Sequence, residues 1–473
     1  MVDEAGAHLP ALHHRVGRAA PGEGLRFPAR QAKFPRRIEW KNVPMTPCTC
    51  RLVSLGMLSV LVLGGCSAAQ PGNQNPTPSA SATSAPGVGS SASASPQPSS
   101  TPTEGPEQSS APSSQGTESS TPAGGSGVRE QAEALVDEMT LDDQAASLVM
   151  AGVPATGAGA AQIAALEEQG ISNVFLRGRS QLSVSQTAAQ VRKITDALDR
   201  NVPGKLPVWV ATDQEGGFVR VLQGPGFTEL PTALTQGAWS QATLKSRMSA
   251  VGGELAEAGI NVNLAPVADV VPSSIGTAND PIGYFGREYA NNAADAAADV
   301  LTINQALAAE GVQPVVKHFP GLGRVTANTD TSSSVTDTSV GAGSQDLEPF
   351  KEAIAQDLSW VMVSNARYTQ IDGKNDAPFS SKVITGLLRD KLGYDGLVIS
   401  DDLCKAEQVS SVSVGQRAVK FVAAGGTVPL CVNTSDAVTM AAALAREAKS
   451  DKQFAAQVRE AAVMVLEEKL EGR

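Results

Sequence analysis

VQPVVKHFPGLG, residues 312–323, carries the pattern on which the fold turns: an apolar run that closes on a lysine and a histidine and then breaks at Pro320 and Gly321. Near-continuous apolar runs suit strands buried on both faces, the condition of a parallel sheet. The same reading applies to SLVMAGV (147–153), NVFLR (173–177), LPVWVAT (206–212), NVNLAPV (261–267), WVMVSN (360–365), GLVIS (396–400) and TVPLCV (427–432). Amphipathic helical patterns lie between them or after them, among them AAQIAALEEQ (160–169), LKSRMSAVGGELAEAG (244–259) and FAAQVREAAVMVLEEKL (454–470). Eight strand-then-helix units predict an α/β fold, a single (β/α)8 TIM-type barrel. An open doubly wound sheet is the alternative, because periodicity does not show closure.

A barrel carries its chemistry at the C-terminal ends of its strands. Polar residues follow the apolar runs there: Asp213 and Glu215 after the third, Asp269 after the fourth, Lys317 and His318 at the fifth, Asn365 and Arg367 at the sixth, Asp401 and Asp402 after the seventh. One carboxylate after a strand is commonly a helix cap; five such strand ends point to a site. Of the four histidines, His8, His13 and His14 lie in the first 44 residues, and only His318 belongs to the folded part. That excludes a multi-histidine metal site and the HExxH pattern, and no GxSxG elbow partners His318. Carboxylates remain as the catalytic groups, and a carboxylate pair flanking a labile bond is the machinery of glycoside hydrolysis.

The runs ATDQEGG (211–217), KHFPGLG (317–323) and SDDL (400–403) occur in that order at strand ends three, five and seven. They resemble the DQEGG, KHFPGHG and SDDL motifs of bacterial single-domain β-N-acetylglucosaminidases of glycoside hydrolase family 3, and the resemblance covers most of residues 129–473. It implies a retaining, exo-acting β-N-acetylhexosaminidase that removes terminal β-linked N-acetylglucosamine from cell-wall fragments. It implies Asp401 as nucleophile, Asp213 as a grip on sugar hydroxyls, and Lys317 and His318 as hydrogen-bonding partners of the sugar ring. It implies no metal or organic cofactor.

The departures from the family pattern are specific. Where the family carries Asp-Ser-His with a histidine acid/base, this chain reads Asn328-Thr329-Asp330, so Asp330 is the expected acid/base. The arginine expected after DQEGG falls on Val221, with Arg220 one residue earlier, and the expected IGxRSFG stretch reads Ile282-Gly283-Tyr284-Phe285-Gly286-Arg287. Arg220 and Arg287 are therefore the candidate sugar-binding arginines. Leu322 replaces the second histidine of KHFPGHG. Two alternatives stay open: a family 3 β-glucosidase or other β-glycosidase, and an inactive lipid-anchored sugar-binding protein.

The chain does not read as one globular unit. LVSLGMLSVLVL (52–63) follows Arg51 and precedes Leu63-Gly64-Gly65-Cys66, too short a run for a spanning helix and suited to a signal-peptide core. LGGC resembles the bacterial lipobox, which implies cleavage before Cys66 and lipidation of its thiol. The expected organisation is an extension over 1–44 that translation from Met45 would omit, a lipoprotein signal peptide over 45–65, the lipidated cysteine and a disordered Ser/Pro/Thr-rich tether over 66–127, and the catalytic domain over 128–473. About 60 flexible residues reach roughly 45 Å, enough to let an anchored domain work within a cell wall. The net charge of −11 argues against nucleic acid as a partner. The expected partners are a carbohydrate substrate and, through the lipid, the extracytoplasmic face of the cell membrane, with the protein a monomer. Cys404 and Cys431, after strand seven and at strand eight, are neighbours in a barrel, so a disulfide and two free thiols are both open.

Mass spectrometry of the native protein is expected to find no peptide from residues 1–44 and a lipid-modified Cys66 at the N-terminus. Recovery of any peptide from that stretch contradicts the start at Met45.

Overall fold

The structure, a computed structural model, describes residues 124–472. The expected extension, the signal peptide, Cys66 and most of the tether lie outside the described residues. Eight parallel strands form the centre: β1 (Met150–Pro154), β2 (Asn173–Arg177), β3 (Trp209–Thr212), β4 (Val262–Asn263), β5 (Gln313–Phe319), β6 (Trp360–Val363), β7 (Val398–Ser400) and β8 (Leu430–Cys431). From β1 to β7 each pairs with its sequence neighbours, and β1 pairs with β8. The bridge Ile399↔Val428 joins β7 to the β8 segment, so the ring closes and the open-sheet alternative falls away.

Most of the apolar runs are shorter as strands than the sequence suggests, and two show why. Ser147 and Leu148 end a helix, Leu141–Leu148, that Thr140 and Asp143 cap reciprocally. The run 261–267 is a regular strand only at Val262–Asn263, because Pro266 has no N–H for the ladder. The chain still follows β5 there, through Val315 N to Ala265 O at 3.0 Å and Lys317 N to Pro266 O at 3.2 Å.

Helices cover the outside, including Ala160–Gln169, Gln241–Glu257, Ala293–Ala309 and Thr434–Ser450. The last helix, Lys452–Leu470, shuts the N-terminal mouth of the barrel. Trp209 and Trp360 start β3 and β6 and meet edge to face, ring centroids 4.5 Å apart. Lys469 Nζ sits 3.9 Å from the Trp209 ring centroid and donates to Pro207 O at 2.6 Å, while Trp360 Nε1 donates to Glu468 at 3.0 Å. Each fully buried large apolar side chain contributes about 1.5–3 kcal/mol, so this end of the barrel is packed shut and the opposite face is left for chemistry.

Close approach of loops on that open face is testable at Gly323, just past β5, where a Cβ would run into the main-chain oxygen of Val270. Gly323→Ala is expected to cost about 1–3 kcal/mol or more, read as a lower thermal midpoint. Gly343→Ala, whose Cβ would meet no atom within 4 Å, is expected to melt like the wild type. Equal midpoints for the two variants contradict the contact.

Candidate active site

Consecutive side chains of a regular strand face opposite ways. Lys317 and His318 nevertheless both line one cleft at the C-terminal face, where the β5–β6 register shifts between Lys317 and Phe319. The cleft holds about 400 Å³. Lys317 is 2% exposed, and its Nζ lies 2.6 Å from Asp213 Oδ1 and 2.6 Å from Glu215 Oε1. Arg287 grips Glu215 with both arms, Nε to Oε2 at 2.9 Å and Nη2 to Oε1 at 2.8 Å. Burial alone would raise the Glu215 pKa, but Arg287 and Lys317 outweigh it and lower it to about 2. Burial likewise pulls the Lys317 ammonium pKa down, and Asp213 and Glu215 more than offset that, so its pKa is raised. The result is a fixed cluster of four charges, on the loops after β3 and β4 and on β5 itself.

His318 is held just as firmly. Its Nδ1 lies 2.7 Å from Asp269 Oδ2, and Asp269 Oδ1 accepts from the main chain of Leu322 at 2.7 Å. With Asp269 accepting from Nδ1, Nε2 is left for a ligand.

Asp401 follows β7, and in a ring of eight strands β7 stands across from β3, which carries Asp213. Asp401 N donates to Val363 O at 3.0 Å, and its Oδ1 accepts from Asp402 N at 2.8 Å. Among the described residues no hydrogen bond engages its other oxygen, Oδ2. Asp402 fastens the loop: its carboxylate accepts from the main-chain N–H groups of Cys404 at 2.9 Å, Lys405 at 2.8 Å and Val432 at 3.0 Å. Asn365 Nδ2 donates to Asp402 O at 3.0 Å. A disulfide, Cys404–Cys431, ties the same loop to β8.

Asp330 reaches the cleft from the loop after β5. That loop is docked on the β7 loop: Glu407 N donates to Asp330 O at 3.2 Å, Gln408 N to Thr329 O at 3.0 Å, and the buried Gln408 side chain accepts from Val335 N at 2.6 Å. Solvent reaches the Asp330 side chain, yet protein surrounds most of its carboxyl. Burial, then the negative charges of Asp401 and Asp402, raise its pKa to about 6.

Asp213, Arg287, Lys317, His318, Asp330 and Asp401 thus line one cleft. Arg220 does not. In its hairpin strand Val219 takes the cleft-facing position, and strand alternation turns Arg220 away, its Nη2 3.6 Å from Glu229. Arg367 pairs with Asp376 at 2.9 Å. Glu215 and Asp269 have no role in the sequence reading beyond ending strands. The single histidine of the fold needs an orienting acceptor, and that is the signal that marks Asp269. Lys405 also lines the cleft, and no sequence signal marks it. Among the described residues no three His, Cys, Asp or Glu side chains gather to hold a metal ion.

A closed barrel that gathers carboxylates and fixed hydrogen-bond donors at its strand ends is an arrangement that glycoside cleavage uses. The model of the glycosyl hydrolase family 3 N-terminal domain matches residues 140–467. The chain belongs to that family. It is 43% identical to a β-N-acetylhexosaminidase of Beutenbergia cavernae, with a TM-score of 0.69 over 70% of this chain and 99% of that one. It is 26% identical to a family 3 β-N-acetylglucosaminidase of a Paenibacillus species, with a TM-score of 0.62 over 71% of this chain and 63% of that one. A β-hexosaminidase of Nitrosomonas eutropha is 31% identical over 238 residues, 49% of this chain and 66% of that relative, just under two thirds of its length.

Glu215→Gln leaves Arg287 and Lys317 short of a buried countercharge and is expected to cost about 3–5 kcal/mol, read as a lower urea midpoint at pH 7. Because the Glu215 pKa is lowered to about 2, its stabilisation is complete above the ordinary carboxylate value of about 4.3 and is lost as pH falls toward 2. The gap between wild type and variant is expected to close over that window. A gap that stays constant with pH contradicts the ion cluster.

Proposed function

We propose that the protein is a retaining, exo-acting β-N-acetylhexosaminidase with Asp401 as nucleophile and Asp330 as acid/base. Its hydrolase activity is of the β-N-acetylhexosaminidase type, the type its relatives are named for. The observation that carries the mechanism is the pairing, in one cleft, of Asp401 with a carboxyl whose pKa is raised to about 6. Such a group holds a proton near working pH and can give it up.

In the first step Asp401 Oδ2 bonds to the anomeric carbon as the carbon–oxygen bond to the leaving group breaks. The bonding pair goes to the leaving oxygen, which takes the Asp330 proton. In the second step Asp330 removes a proton from water, the water oxygen bonds to the anomeric carbon and the ester to Asp401 breaks. Two inversions retain the configuration and return both carboxyl groups to their starting states. Asp213, Lys317 and His318 hold the ring hydroxyls through charge-assisted hydrogen bonds. The substrates are amino sugars of peptidoglycan fragments, met at the outer face of the membrane by a domain tethered through lipidated Cys66.

With an N-acetyl-β-glucosaminide of poor leaving ability, kcat/KM is expected to fall as pH rises above about 6, since deprotonation of Asp330 removes the acid. Asp330→Ala is expected to lose about 10²–10⁴ in rate, to lose that limb of the pH profile, and to form a β-glycosyl azide when azide is supplied with an activated aryl substrate. Unchanged activity without azide rescue removes Asp330 from the mechanism. A preference for a glucoside or xyloside over the N-acetylglucosaminide would assign another sugar, and no turnover of any would favour a binding protein.

A further inference from the structure

Asp330 stands on a stretch that is anchored at both ends. Upstream, the buried Asn279 side chain donates to Leu322 O and Val325 O, both at 2.7 Å. Downstream, Thr336–Asp337 pairs as a short strand with Arg367–Tyr368, which pairs in turn with Asp372–Asp376. Among the described residues, the hydrogen bonds that tie 326–334 to another loop are the two from the main chain of Glu407 and Gln408. Ser334 closes the stretch in the left-handed conformation, with φ at 66°. A residue with a Cβ adopts that conformation at a cost and keeps it only where its surroundings hold it.

Gln408 supplies that hold. It is 4% exposed. Its Oε1 accepts from Val335 N at 2.6 Å, and its Nε2 donates to Asp376 Oδ1 at 3.0 Å and to Val335 O at 3.3 Å. Arg367 completes the node, its N donating to Val335 O at 3.0 Å and its Nη2 to Asp376 Oδ1 at 2.9 Å. A buried amide is tolerated because its polar atoms are engaged, and removing it leaves the Val335 N–H without an acceptor. Gln408 lies in the short helix Glu407–Val409, on the same loop after β7 that begins with Asp401. That loop is itself stiff. Arg417, from the helix Val414–Ala423, donates to Leu403 O at 2.6 Å, Cys404 O at 2.9 Å and Val412 O at 2.6 Å. Position therefore passes from the loop of Asp401 to the loop of Asp330 through one side chain and two main-chain N–H groups.

We propose that Gln408 is a positioning residue: it pins the loop that carries Asp330 to the loop that carries Asp401 and so fixes the separation of the two carboxyl groups. The proposal rests on the acid/base reading of Asp330 above. Retaining hydrolysis works with such a pair about 5–5.5 Å apart, and a misplacement of about 1 Å can cost on the order of 10²-fold. Gln408 does not line the cleft, so it acts only through where Asp330 stands. Its effect must follow the reaction's need for a proton.

The test measures kcat/KM on two N-acetyl-β-glucosaminides: the phenyl glycoside, whose leaving oxygen needs a proton, and the dinitrophenyl glycoside, whose leaving group departs without one. Gln408→Met keeps the length of the side chain and gives up the amide. It is expected to lower kcat/KM on the phenyl glycoside by about 10–100-fold. On the dinitrophenyl glycoside it is expected to lower it little, which also reports a folded variant. Gln408→Leu is measured beside it, so that the outcome does not hang on the folding of one variant. In an Asp330→Ala background either substitution is expected to cost nothing more on either substrate. Equal losses on the two substrates, no loss on either, or a full second loss on top of Asp330→Ala overturn the positioning role. Asp330→Ala alone separates the two readings. If it does not distinguish the substrates, the acid/base reading falls and the positioning role with it; if it does and the Gln408 variants do not, only the positioning role falls.

Discussion

The Lys317 ammonium, held at 2.6 Å from both Asp213 and Glu215, is the constraint around which the site is built. An unpaired buried ammonium costs several kcal/mol, so the residue is tolerated only with its partners in place. One contact comes from the turn at the end of β3 and the other from the hairpin that follows. Glu215 in turn recruits Arg287 from beyond β4. The loops after β3 and β4 and the end of β5 are therefore locked together by charge at the point where the barrel opens. The pairing does not neutralise Asp213 completely as a ligand group: it is partly exposed, and a carboxylate carries more acceptor sites than one lysine fills.

The opposite wall is built on another principle. Asp401, Asp402 and Asp330 converge from the β7 and β5 loops; the Asp401 and Asp402 carboxylates accept from main-chain N–H groups, not from lysines, and Asp330 N donates to the Asn328 side chain. Main-chain donors and the disulfide fix position without cancelling charge. Asp330 bears the excess: its pKa rises while that of Glu215, in the cationic half, falls. Two carboxyl groups of ordinary chemistry are pushed in opposite directions by where the cations lie, which separates a permanent anion from a proton carrier.

The barrel was legible because strands buried on both faces leave unbroken apolar runs. NVFLR coincides with β2 residue for residue, and AAQIAALEEQ with its helix. Strands four and eight were legible as segments but not in extent, since Pro266 and Pro429 interrupt the ladder inside them. In the site, Asp213, Lys317, His318, Asp330 and Asp401 could be named because each ends a strand or stands in a motif. Arg220 could not be placed correctly, since the facing of a two-residue hairpin strand depends on its partner. The Glu215–Arg287 pair joins residues 72 positions apart, and the Phe218–Phe285 ring contact joins loops after two different strands. Neither has a local pattern for a sequence to carry.

In the proposed mechanism the charge of the nucleophile couples the two halves of the reaction through Asp330 as acid/base. Part of what raises the Asp330 pKa is the charge of Asp401. When Asp401 is esterified to the sugar that charge is gone, and the Asp330 pKa falls, although burial and Asp402 still hold it up. The residue is then a proton donor while the nucleophile is free and an ionised base while the nucleophile is occupied, which is the order the two steps require. Hydrolysis of the ester restores the Asp401 charge and with it the affinity of Asp330 for the proton it has just taken from water. A neighbouring histidine would respond with the same sign, its pKa also raised by an adjacent carboxylate and released when that charge is lost. Starting from about 6.5 instead of about 3.9, it would remain a donor to higher pH. The substitution therefore keeps the cycle and moves its working range toward acid.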